Sequence, residues 1–236
     1  MARVAVASVR LVPPTAPDQA AELLERLGES LAPVDEAIRS HRFLDALAAG
    51  RAPAPALRAI AGEQRRIIAS DRRSFAQLAA RFPQPPAGDF FLAMSQGEGE
   101  ALRLLDGYIA WLELDEDWLH AYEPDPRAQS YPAYVAWLAL NGAGSAVALA
   151  LLANLAAWGA NCAAVAEALR DAYDANDEAV AFFEFFAVAP PGFRERALAV
   201  VQAGLDAGDD PLEASRGARL LQAYELQFWD ALADGI

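Results

Sequence analysis

Lysine is absent from this 236-residue chain, so every one of its 19 basic residues is an arginine. That excludes Schiff-base chemistry on lysine and a lysine general base. Cysteine occurs once, at Cys162, and histidine twice, at His41 and His120. A lone thiol closes no internal disulfide, which fits a reducing, cytoplasmic setting. Two histidines supply little for a zinc site or a histidine-rich di-iron centre, so neither metal nor cofactor is expected. Runs of alternating apolar and polar residues bounded by hairpin turns are also missing, which argues against a sheet. A secretory leader is not expected, because Arg10 interrupts the small apolar run at the N-terminus and Pro13-Pro14 follow it.

The longest gap in charge runs from Ala128 to Ala166. Within it, residues 145–166 are long enough to cross a bilayer. Against a span stand the amides of Asn154 and Asn161, the unbroken continuation into Glu167 and Arg170, and the lack of flanking basic clusters. The run therefore reads as the central buried helix of a helical protein, with Asn154, Asn161 and Trp158 projecting from it, and no membrane is expected. With 33 acidic residues against 19 basic ones, the chain repels phosphate backbones. Its best basic cluster, Arg65, Arg66, Arg72 and Arg73, is interspersed with Glu63 and Asp71 and reads as a solvated helix face. No nucleic-acid partner is expected.

What is present is helical periodicity almost throughout, over residues 19–27, 34–48, 55–80, 89–122, 131–140, 145–173, 178–187, 193–207 and 212–233. Clusters of Pro, Gly and Asp punctuate these segments. With 55% hydrophobic residues, the chain can bury one substantial core. The expectation is a single all-α domain over residues 18–236, preceded by a flexible tail over residues 1–17.

Particular segments carry a resemblance. His41-Arg42-Phe43-Leu44 with Gly50, then Leu57-Arg58 and Glu63-Gln64, open the pattern. Trp118-Leu119-His120, Tyr131, and Ala223-Tyr224-Glu225 with Phe228-Trp229 continue it to the C-terminus. In order and spacing these resemble the TenA family, which implies a haem-oxygenase-like helical bundle shared with thiaminase II and PqqC-type proteins, a pocket enclosed by helices, and assembly as a homo-oligomer, dimer or tetramer. Active TenA hydrolases use a cysteine nucleophile, a proton-moving glutamate, an aspartate that orients the substrate amine, and several tyrosines. By resemblance the glutamate corresponds to Glu225 and one tyrosine to Tyr131. The cysteine falls at Asn154, the aspartate at Gln64, and further tyrosines at Ile67, Trp158 and Phe182 or Phe183.

These exchanges have chemical consequences. An amide at Asn154 forms no thiolate, and Cys162, eight residues on, is displaced by about 12 Å along a helix. Gln64 removes the charge that would hold an aminopyrimidine. Ile67, Trp158 and Phe183 turn a hydroxyl-lined wall apolar and aromatic, favouring a flat, partly apolar ligand. Glu225 is the candidate catalytic residue: among aromatic side chains its pKa should rise towards neutrality. The alternative is a satisfied core acid bonded to Tyr131, Asn154 or Gln64. Asn154 and Gln64 are expected to contact the ligand, Asn161 to bond backbone or a neighbouring helix, and the two histidines to cap or pack. Asp117 and His120 are spaced like half of a di-iron site, but Trp229 stands where a second histidine would be needed. The all-round apolar stripe Phe182, Phe183, Phe185, Phe186 marks a helix buried by core or by another subunit. Three functions follow: a TenA-like enzyme working through Glu225 on a new substrate, a non-catalytic carrier or sensor, and a metal-dependent oxidase of the same fold.

Overall fold

A computed structural model describes residues 19–234 and 236; the expected tail over residues 1–17 lies outside the described residues. Ten helices follow in order: α1 (Gln19–Arg39), α2 (Arg42–Ala48), α3 (Ala54–Arg81), α4 (Ala87–Trp111), α5 (Glu116–Ala121), α6 (Pro126–Asn141), α7 (Gly144–Tyr173), α8 (Asp177–Ala187), α9 (Phe193–Asp206) and α10 (Pro211–Leu232). No strand occurs among the described residues.

Four boundaries differ from those read in the sequence, one of them the start of α6, at Pro126 rather than Tyr131. Helix α1 does not stop at Leu27 but continues through Pro33 to Arg39. A mid-helix proline costs roughly 3 kcal/mol, while each fully buried leucine contributes about 2 kcal/mol. Beyond Pro33, Ile38 is fully buried and Val34 packs against both parts of the core, which with Leu31 just before the proline holds the helix across it. The segment expected to run from Val34 to Ala48 breaks at His41, whose extended backbone starts α2 and whose Nδ1 accepts the Phe43 N–H at 3.2 Å. Its Nε2 faces Asp230 Oδ1 at 3.2 Å, tying the cap to α10. The expected single helix over 89–122 divides into α4 and α5, because Glu113 adopts φ 55° and Asp115 caps α5 by accepting the Trp118 N–H at 2.8 Å.

Helix α7 is the charge-poor segment. Within it lies a stretch long and apolar enough for a membrane span, and 61% of that stretch is buried inside the protein. Neighbours α1, α2, α6, α8, α9 and α10 cover it. Two glycines bring α8 close. A Cβ on Gly107 of α4 would lie 2.3 Å from the Glu178 carbonyl oxygen, and one on Gly159 of α7 would lie 2.9 Å from that of Phe186. Only hydrogen fits at either crossing, so α8 packs backbone-first between α4 and α7.

The apolar core is in two parts. One gathers α2, the first half of α3, the second half of α7, and α8 around Phe43, Tyr108 and Phe182. The other gathers α1, the end of α3, the first half of α7, and α9 around Phe75, Phe90 and Leu149. Near the boundary between them the long helices carry buried polar residues: Gln64 and Asp71 on α3, Asn154 on α7, Gln222 and Glu225 on α10. Tyr131 packs against both parts.

Candidate functional site

A cavity opens at this polar seam, with about 70 Å³ accessible to the centre of a water molecule. Helical spacing selects its walls. Helix α3 contributes Gln64, Ile67, Ile68, Asp71 and Phe75, and α7 contributes Leu151, Asn154, Leu155 and Trp158. Each set follows the i, i+3, i+4, i+7 pattern of one helix face. Tyr131 of α6, Met94 and Glu98 of α4, Phe186 of α8, Phe193 of α9, and Glu225 and Phe228 of α10 complete the lining.

Of the residues singled out in the sequence, the cavity brings together Gln64, Ile67, Tyr131, Asn154, Trp158 and Glu225. Phe183 is a correction. It is buried edge-on against Tyr108, with ring centroids 5.1 Å apart, and does not line the cavity. The Gly107 crossing presses α8 onto α4, which sends Phe182 and Phe183 into the core. Nearly one turn later Phe186 reaches the cavity, edge-on to Trp158 at 5.9 Å.

Glu225 is 2% exposed, and both of its oxygens accept hydrogen bonds: Oε1 from Trp229 Nε1 at 3.3 Å and Oε2 from Asn154 Nδ2. Asn154 Nδ2 also donates to Gln222 Oε1 at 2.7 Å, Gln222 Nε2 donates to Asp35 Oδ1 at 2.5 Å, and Tyr131 donates its hydroxyl to Asn154 Oδ1 at 3.2 Å. With its amide nitrogen donating to Asp35, Gln222 turns its oxygen to one Asn154 N–H, and the other Asn154 N–H is left for Glu225. Burial pushes the Glu225 carboxyl up to about 8, against the lowering effect of the bonds from Trp229 and Asn154, with the Asp35 charge adding to the rise. At neutral pH it holds a proton. Burial likewise raises the Tyr131 phenol, reinforced by Asp71, Glu225 and Glu98.

Cys162 is fully buried in the core and does not line the cavity. Burial, with the nearby Glu225, pushes its thiol well above the ordinary range, which disfavours a thiolate. Asn161 donates to the Ile38 carbonyl at 3.0 Å. Neither histidine lines the cavity; His41 caps α2, and His120 lies on α5 beside Asp117. Among the described residues no group of three or more His, Cys, Asp or Glu side chains is placed to hold a metal, so the donor set does not fit a di-iron centre.

Two buried acids of α3 escaped the sequence reading. Glu63 and Asp71 were expected on a solvated face with the neighbouring arginines, yet they are 1% and 4% exposed while Arg66, Arg72 and Arg73 face solvent. Glu63 accepts from the Tyr122 hydroxyl and the Asp125 N–H, both at 2.7 Å, and from Gln129 Nε2 at 2.5 Å, latching α3 to the start of α6. Asp71 enters the cavity opposite Glu98, and burial raises both carboxyls well above the ordinary range, Glu98 further through the Asp71 charge. The signal was there for Asp71: it falls seven residues after Gln64, in phase with Ile67 and Ile68.

Residues 29–234 match the model of the TENA/THI-4/PQQC family. The chain belongs to that family. Its fold is similar to that of a TenA homolog from Pseudomonas syringae, with a TM-score of 0.75 at 13% identity over 92% of this chain and 97% of that one. It is similar also to a TenA homologue from P. horikoshii, with a TM-score of 0.69 at 15% identity over 90% and 97% of the two chains. A haem oxygenase from the cyanobacterium Synechocystis, solved with haem, matches with a TM-score of 0.65 at 14% identity over 89% and 92%. The haem-oxygenase-like all-α architecture is thereby established. A comparison with curated protein sequences finds no match.

Proposed function

We propose that this TenA-family protein is a small-molecule enzyme that works by acid-base chemistry at Glu225 and uses no cysteine nucleophile. The observation that carries this reading is a buried carboxyl on the wall of a cavity lined mainly by apolar and aromatic side chains, with its pKa raised to about 8. A group poised so near neutrality donates its proton to a bound substrate and recovers it from solvent or product. Asn154 and Trp229 donate to its two oxygens and so hold the carboxyl in one orientation. Both bonds also serve the carboxylate formed after proton transfer, which keeps the group from being locked in its neutral state. Trp158, Phe186, Phe193 and Phe228 form faces for a flat, partly apolar ligand. A Sulfolobus solfataricus structure of similar fold is described as a putative TenA-like thiaminase (TM-score 0.59, 14% identity, over 89% and 94% of the two chains), which supports small-molecule chemistry on a fold of this kind. With Asn154 at the position that corresponds to the family cysteine and Cys162 outside the cavity, thiamin and aminopyrimidines are not its substrates.

The protein is further proposed to be cytoplasmic and homo-oligomeric; the exposed Trp137 and Leu140 on α6 support self-association, which light scattering on the eluting peak measures directly. The catalytic reading is tested by incubating purified protein with a fractionated small-molecule extract. Consumption of a metabolite by the wild type and not by Glu225→Gln is the expected result. The carrier reading draws on one observation, that both Glu225 oxygens are already bonded. It predicts that a metabolite is retained and returned unchanged by both proteins. Hydrolysis of thiamin or an aminopyrimidine would contradict the account, most directly if Cys162→Ser abolished it.

A further inference from the structure

The cavity has a second polar centre, built from α3 and α4. Asp71 and Glu98, 4% and 7% exposed, both line it. Asp71 Oδ1 and Glu98 Oε2 have no hydrogen-bond partner, and neither has Oε1 of Gln64. The Gln64 oxygen is an acceptor, and so are the two carboxyls in the ionised form that a bound cation would favour. Buried polar atoms are almost always paired, so three unpaired acceptors on one cavity mark the place of donors that the folded chain does not itself supply. The cations nearest in sequence do not serve: Arg72 and Arg73 face solvent, and the Arg72 guanidinium lies over Gly99, 3.2 Å from where a Cβ there would be. The cavity also borders Phe75, Trp158, Phe186 and Phe193.

We propose that the Asp71–Glu98 pair receives the ammonium group of an organic amine whose aromatic body lies between these rings, and that the Gln64 amide oxygen accepts a second N–H from that body. The proposal deepens the enzyme reading above and rests on the same cavity being the ligand site. An ammonium brings three donors and no acceptor, which matches two carboxyls that lack a donor. Aromatic faces around a desolvated cation add attraction. Gln64 lies seven residues before Asp71 on the same helix face, about 10 Å along the axis, so one ligand meets the two groups at different points of its length. A neutral alcohol of the same shape offers the pair a single donor and no charge.

The test uses the full-length protein and three probes: tryptamine, which has an ammonium and an indole N–H; tryptophol, with a hydroxyl in place of the ammonium; and phenethylamine, which lacks the indole N–H. Binding is followed by calorimetry. Tryptamine is expected to bind at least tenfold more tightly than tryptophol and severalfold more tightly than phenethylamine. Asp71→Asn and Glu98→Gln should each abolish the preference for amine over alcohol, Gln64→Leu should abolish only the preference for tryptamine over phenethylamine, and Glu225→Gln should leave both intact. Equal binding of tryptamine and tryptophol by the wild type, a comparison that depends on no variant, would overturn the proposal. So would absence of saturable tryptamine binding at millimolar concentration, or saturable Mg²⁺ or Mn²⁺ binding lost in both acid variants. Loss of turnover in Glu225→Gln with the amine preference unchanged separates this inference from the catalytic one.

Discussion

Replacing Glu225 by glutamine should change how stability depends on pH, and in a direction opposite to that of most carboxylates. The folded-state pKa is raised from the ordinary 4.5 to about 8. Between those two values the folded protein holds a proton that the unfolded chain has released, so stability falls as pH rises through the window. The slope reaches at most about 1.4 kcal/mol per pH unit, and its integral over the window is about 5 kcal/mol. Glutamine does not titrate, so this component vanishes. It carries a cost of its own, because one amide N–H must face either Trp229 Nε1 or Asn154 Nδ2, both donors. An unsatisfied buried pair of this kind costs about 1–3 kcal/mol. The variant should therefore be less stable than the wild type at pH 4 and more stable at pH 9, the two curves crossing between about pH 5 and 7. Urea denaturation at intervals of one pH unit measures both. Parallel curves would refute the reasoning, since they would mean that Glu225 titrates alike in folded and unfolded states. Asp71 and Glu98 share the sign of this effect, so the Glu225→Gln variant should keep a residual decline towards alkaline pH.

Cys162→Ser should leave turnover unchanged and lower stability by about 1–3 kcal/mol, because it buries a hydroxyl in an apolar core; loss of activity with stability intact would contradict the placement of the thiol. Gly107→Ala should cost about 1–3 kcal/mol in urea denaturation by forcing α8 away from α4, and should loosen Phe186 from Trp158; a change under 0.5 kcal/mol would mean that α8 is not so closely held. Glu63→Ala removes the acceptor of three donors that join α3 to the start of α6 and should cost about 2–4 kcal/mol, whereas Glu63→Gln, which keeps an acceptor, should cost less than half as much.

The fold was legible because its signal is long-range and redundant. Apolar residues recur at helical spacing in every major segment, and the charge-free run had one soluble reading, a helix covered on all sides. Boundaries were less legible where two local preferences compete. Pro33 reads as a break, but burial of Val34 and Ile38 beyond it carries α1 past it; nothing about His41 in isolation shows that its ring will cap α2 and pair with Asp230. In the site, helical phase combined with family resemblance located the α3, α7 and α10 walls. Phe183 was misplaced because which of four phenylalanines faces the cavity depends on how α8 rotates over Gly107 and Gly159. Asp71 was hidden by its arginine neighbours, although its phase with Gln64 pointed inward, and Glu98 sits in a stretch of glycines and acids that reads as surface. That these two acids share one cavity and feel each other's charge follows from how separate helices pack, which a one-dimensional pattern does not encode.

The central claim is that Glu225 is a neutral, proton-bearing acid within the cavity at physiological pH. Carbon-13 NMR of protein labelled at the glutamate side-chain carboxyl tests it without knowledge of the substrate. The account predicts a carboxyl resonance that titrates near pH 8 in the wild type and disappears in Glu225→Gln. If the resonance lost in that variant titrates instead in the ordinary carboxylate range, Glu225 is ionised at neutral pH, and the acid-base role assigned to it is contradicted.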